Sequence, residues 1–119
     1  MDQFDAMRMA AAALYGNRGK DYGYGTRPDG TFKGPGFLGV LKRPDGDVMT
    51  EYSIGVEING VERDIPTLVP TLTKKEIETL LKIKVGKQPP KSIVDKAVAH
   101  AEKRIAEGKS PFYGAEDED

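Results

Sequence analysis

The chain has 119 residues, a net charge of −1 and no cysteine; this excludes disulfides, thiolate catalysis and zinc–sulfur sites, and gives no general electrostatic reason to bind nucleic acid. Hydrophobic residues make up 38% of it, beside 14 glycines and eight prolines, so the expected core is small, with one sheet face covered by helices in a turn-rich α+β domain. No run approaches about 18 apolar residues, and the N-terminus lacks the basic start and apolar stretch of a signal peptide, so neither a membrane span nor a leader is expected.

Asp2 to Tyr15 reads as a short helix: alanines at 6 and 10–13 give high propensity, and Phe4, Met7, Ala11, Leu14 and Tyr15 form a stripe at helical spacing. Gly16 is placed to end it. A core helix and a helix seated in a partner's groove, with Phe4 and Met7 as anchors, both fit this pattern.

From Gly16 to Gly36 seven glycines alternate with Arg18, Lys20, Arg27 and Lys33 and with Tyr22, Tyr24 and Phe32. A loop of this length is often functional or disordered. It is not a phosphate loop: Leu14 stands where the first glycine belongs and Asp21 where Ser or Thr belongs. Nor is Gly23-Tyr24-Gly25 a dinucleotide turn, since Pro28 occupies the last glycine position. A structural loop, a protein contact and a phosphate or nucleic-acid contact remain. Arg-Pro-Asp-Gly occurs at 27–30 and again at 43–46; each copy is expected to close a tight turn, and Thr26 to Lys33 to form a small hairpin.

Residues 36–69 carry the expected sheet, a three-stranded antiparallel meander. Phe37–Leu41 supplies the first strand and the second Arg-Pro-Asp-Gly the first turn. Asn59-Gly60 supplies the second turn, because a two-residue type I′ connection needs φ > 0 at both central positions. The implied register sets Ile58 opposite Val61, Val56 opposite Arg63 and Ile54 opposite Ile65. Alternation places Val48, Tyr52, Ile54, Val56 and Ile58 on the apolar face, and Met49, Glu51, Ser53, Gly55 and Glu57 on the wet one. The last strand should end near Pro66.

Two helices, about 74–85 and 90–107, should cover one face of this sheet. Thr73 and Glu76 form a capping box, Leu72 and Ile77 a hydrophobic staple, and Gly86 a stop. Ile77, Leu80, Leu81 and Ile83 should face inward. The second helix opens at Pro89-Pro90, carries a stripe of Val94, Ala97, Val98, Ala101 and Ile105, and stops at Gly108. Phe112 and Tyr113 either fold back or form a contact. The organisation is thus an N-terminal helix (1–16), one small domain (17–113) and a solvated acidic tail (114–119).

Little of this suggests chemistry. His100 is the only histidine and reads as a boundary residue beside the helix stripe. Glu51, Glu57, Glu62 and Asp64 would share the wet sheet face, with Lys42, Arg43 or Arg104 near them. Such a group fits a solvated surface, a hard-cation site or an acid and base pair acting on a cell-wall glycan.

The string YGYGTRPDGTFKGPGFLGVLKRPDGDVMTEYSIGVEI from Tyr22 to Ile58, with IPTLVPTLT and KAVAHAEKRIAEGKSPF, resembles small uncharacterised proteins encoded by tailed bacteriophages and prophages, which stand alone or are attached to large virion proteins. The resemblance spans roughly Asn17 to Phe112 and implies a phage origin and a virion role. It brings no catalytic residues. The expectation is a non-enzymatic virion-associated structural or accessory protein, without cofactor or metal, located in the virion or the bacterial host cytoplasm. It would dock through Phe4, Met7, Tyr22, Tyr24, Arg27 and Phe32 on phage virion proteins, a host protein or further copies of itself. A phage-encoded regulator of a host protein and a glycan-acting enzyme are the alternatives.

Overall fold

Asn59 and Gly60 both take positive φ, at 55° and 78°, and this turn fixes the main hairpin of the molecule. Strand β3 (Ser53–Ile58) pairs antiparallel with β4 (Val61–Pro66), with Ile58 opposite Val61, Glu57 opposite Glu62, Val56 opposite Arg63 and Ile54 opposite Ile65. The register is the one the turn dictates, and β4 ends at Pro66 as its missing N–H requires. A computed structural model describes residues 19–114 and Asp117; the expected N-terminal helix, with Phe4 and Met7, lies outside the described residues. The chain divides into two compact units, residues 1–34 and 35–119.

The second unit contains two separate two-stranded sheets, not one meander. β1 (Leu41–Lys42) pairs with β2 (Val48–Met49), while β3 pairs only with β4. The chain breaks strand geometry between Met49 and Ser53. Tyr52 turns away to the other hairpin, its carbonyl accepting from Thr67 N at 2.9 Å and from Thr67 Oγ1 at 2.6 Å. Because alternation does not run through a break, the expected faces are wrong upstream of it. Met49 is buried and Val48 is 49% exposed, the reverse of the expectation. Glu51, placed on the wet face by the same count, is buried.

The helices also divide their work differently from the expected shared cover. Helix α1 (Lys74–Leu81) is shorter than expected, and helix α2 runs Lys91–Ala106. α1 contributes Leu80 to a cluster with Met49, Leu68, Val69, Leu72 and Ile93, onto which Leu38, Leu41, Ile77, Leu81 and Ile83 pack. α2 covers the main hairpin, where Ala97 and Ala101 share a cluster with Ile54, Ile58 and Ile65. Small side chains at 97 and 101 let helix and sheet approach closely. Half-buried Tyr52 touches both clusters and joins them.

The ends of both helices follow their sequence signals. The capping box closes reciprocally, Glu76 N to Thr73 Oγ1 at 3.1 Å and Thr73 N to Glu76 Oε1 at 2.8 Å, and Leu72 and Ile77, at the staple positions, both belong to the first cluster. α2 ends in a Schellman motif: Lys109 N donates to Arg104 O and Gly108 N to Ile105 O, both at 2.9 Å, with Gly108 at φ 78°.

The two Arg-Pro-Asp-Gly copies fold alike. In the first unit Gly30 N donates to Arg27 O at 2.9 Å, Arg27 N to Thr31 O at 2.7 Å, and Thr31 N to Asp29 Oδ1 at 2.9 Å. In the second unit Gly46 N, Arg43 N and Asp47 N make the corresponding bonds at 3.0, 2.8 and 2.9 Å. Proline and aspartate set a tight turn and glycine takes positive φ after it, a common three-residue hairpin connection.

Candidate partner-binding site

The first unit, over Gly19–Gly34, is ordered by local bonds. Thr26 bridges Phe32 across the first Arg-Pro-Asp-Gly turn, Lys33 N donates to Gly25 O at 2.9 Å, and Arg27 Nη1 reaches Thr31 Oγ1 at 3.1 Å. The expected small hairpin is therefore present, and Arg27 and Phe32 belong to it. Ahead of it, Asp21 Oδ1 accepts from Gly23 N at 2.9 Å, and Gly23 takes a φ of 86°, which suits glycine. This turn sets Tyr22 and Tyr24 side by side, ring centroids 6.4 Å apart and planes within 7° of parallel. Lys20 Nζ lies 4.9 Å from the Tyr22 centroid, within cation–π range. Both tyrosines are half-buried. The sequence thus singled out Tyr22, Tyr24, Arg27 and Phe32, and the structure gathers the tyrosines with Lys20 into a preset aromatic and cationic surface.

The carboxylate cluster is not the one the alternation implied. Glu57 and Glu62 face each other across the hairpin and Asp64 lies opposite Gly55, but Glu51 precedes the hairpin and is buried. The expected neighbours are elsewhere too: Arg43 Nη2 donates to Ile83 O at 2.9 Å and its Nε sits 3.5 Å from Asp45. Among the described residues no group of three or more metal-binding side chains is gathered.

Arg104 forms a centre that sequence reasoning missed. Its guanidinium is buried and satisfies four acceptors of the C-terminal segment: Nε to Ser110 O at 2.6 Å, Nη2 to Phe112 O at 3.1 Å, and a fork onto Asp117 with Nη1–Oδ1 at 2.9 Å and Nη2–Oδ2 at 2.7 Å. Its carbon Cζ lies 4.8 Å from the Phe37 centroid, and the edges of His100 and Tyr113 close on Phe37 at 4.7 and 5.5 Å. Phe112 folds back into the interior, and Asp117 is held, so the tail is not wholly solvated as expected. Hydrogen bonding from Arg104 holds the Asp117 carboxyl below the ordinary carboxylate range. Burial lowers the pKa of His100, and the nearby Arg104 and Lys103 charges lower it further; its Nδ1 is buried with no hydrogen-bond partner among the described residues. The only signal for this centre in the sequence was an arginine one helical turn after His100 on the buried side of α2. Compared with protein-family models, with curated proteins and with solved structures, the chain matches none.

Proposed function

We propose that the protein is a non-enzymatic docking protein associated with a phage virion, and that the Tyr22–Tyr24 pair with Lys20 is its principal contact. The observation that carries this reading is the parallel tyrosine pair, preset by the Asp21–Gly23 turn and the hairpin that follows. Tyrosine supplies a large, rigid, amphipathic contact at small conformational cost, and preset anchors lose little entropy on binding. Phe4 and Met7, chosen from the sequence alone, are further contact residues in the proposal. The phage assignment rests on the resemblance of residues 17–112 alone, and the docking role on the loop geometry.

The test is capture of virion proteins by the immobilised full chain, with Tyr22→Ser/Tyr24→Ser beside it. Loss of a captured virion component in the double variant, with unchanged circular dichroism, supports the reading. Equal capture by both chains removes the tyrosines from the contact. Capture of a host protein instead of a virion component converts the role to host regulation.

A further inference from the structure

The connection between α1 and α2 is strongly one-signed. Six lysines fall between positions 74 and 91 against only Glu76 and Glu78, and Glu76 is already engaged by Lys96 Nζ at 2.7 Å and by Ser92 Oγ at 2.8 Å. Three of these lysines, Lys82, Lys84 and Lys87, are exposed and flank Val85, which is 89% exposed. Among the described residues none of the three makes an ion pair.

The loop is nevertheless firmly built. Lys87 N donates to Lys84 O at 3.0 Å across a turn in which Gly86 takes a φ of 88°. Tyr52 Oη lies 2.8 Å from Lys87 O and 3.2 Å from Lys84 O, and Arg43 anchors Ile83 O from the other side. Backbone carbonyls are tied inward while the lysines stay in water. This preorganises three cations around one apolar side chain.

We propose that this loop seats the acidic C-terminal segment of a second copy of the chain, so that copies associate head to tail. The segment after Gly114 reads Ala-Glu-Asp-Glu-Asp. Arg104 engages Asp117, and the other acids of the segment, Glu116, Glu118 and Asp119, match the three lysines in number and oppose them in charge. Within one copy the length of α2 separates the loop from the pinned Asp117. The loop leads into the first turn of α2, whereas Arg104 pins the tail at its last turn, and Lys91 to Arg104 is about 20 Å of helix. Glu118 and Asp119 follow Asp117 directly, so full extension takes neither more than about 7 Å from it along the chain. The contact is heterologous, so it propagates into a ring or a filament. An exposed valine at the centre favours a polypeptide over a phosphate backbone, and a net charge of −1 draws no polyanion from a distance. This inference uses different residues from the tyrosine pair and does not rest on the docking role.

The test is sedimentation of the full chain at low and high salt. The wild type should associate at low salt and weaken by about tenfold or more as salt screens the contacts. Lys82→Glu/Lys84→Glu/Lys87→Glu and Glu116→Lys/Glu118→Lys/Asp119→Lys should each remain monomeric alone, and their equimolar mixture should associate again. Lys82→Gln/Lys84→Gln/Lys87→Gln, which keeps the side-chain bulk, should weaken association without repulsion. A wild type that stays monomeric at low salt overturns the proposal, as does a mixture that fails to associate. Loop-dependent binding of a single-stranded oligonucleotide by a monomeric wild type overturns it in favour of a nucleic-acid contact.

Discussion

Arg104 and Asp117 meet as a two-pronged pair, 2.9 and 2.7 Å, with 8% and 13% of their side chains exposed. The same guanidinium also holds two carbonyls of the segment between them, so one side chain ties the end of α2, residues 110–113 and the tail. Arg104→Ala removes a buried cation and leaves these acceptors without it, and should lower stability by about 3 kcal/mol. Arg104→Lys should recover little, because an ammonium cannot present the planar fork. Urea denaturation of the three chains checks this; a loss below about 1 kcal/mol for Arg104→Ala would mean that the latch contributes little.

Gly36 tests the break between the two hairpins. It takes a φ of 77°, and a Cβ built on it collides with the backbone carbonyl of Thr50. Gly39 has nearly the same φ, 80°, with open space around it. Gly39→Ala should cost only the left-handed strain, about 1 kcal/mol, whereas Gly36→Ala should cost clearly more. Equal denaturation midpoints for the two variants would show that the close approach of Gly36 to Thr50 is not needed.

Acidification should weaken the fold in two steps. Bonds from Lys96, from the backbone of Thr73 and from Ser92 lower the Glu76 pKa to about 2. A lowered carboxyl contributes stability that is present above its ordinary value near 4.5 and is lost as pH falls towards 2. Glu76→Gln should flatten Tm against pH in that window.

His100 acts at milder pH. Its pKa lies below the ordinary 6.5, so the unfolded chain takes up the proton first and stability falls as pH drops below about 6.5. His100→Phe keeps the edge contact with Phe37 and removes the unpartnered Nδ1. It should abolish the decline in Tm between pH 7 and 5; an unchanged decline would assign it to other groups.

What the sequence disclosed and what it hid follow from range. The register of β3 and β4 was readable because Asn59-Gly60 admits one turn and the antiparallel pairing then runs unbroken to Pro66. Helix ends were readable because caps are local: Thr73, Glu76 and Gly108 each act within a few residues. The division into two sheets was not readable, since the bend at Thr50–Tyr52 is set by Gly36 and Thr67, both 14 or more positions away. Glu51 and Arg104 misled for one reason. Charge marks a residue as exposed unless its partners are known, and those of Arg104 arrive from the tail. At the candidate site the residue types were legible, but the parallel setting of Tyr22 and Tyr24 depends on the Gly23 conformation.

The proposed virion-docking role is tested most directly by quantitative mass spectrometry of phage particles, gradient-purified from a lysate of cells that make the chain, set against the unfractionated lysate. The account predicts peptides of this chain in the particles at a fixed ratio to the other virion proteins, and a loss of about tenfold or more with Tyr22→Ser/Tyr24→Ser. Particles free of the chain, while the lysate holds it in quantity, would contradict the account.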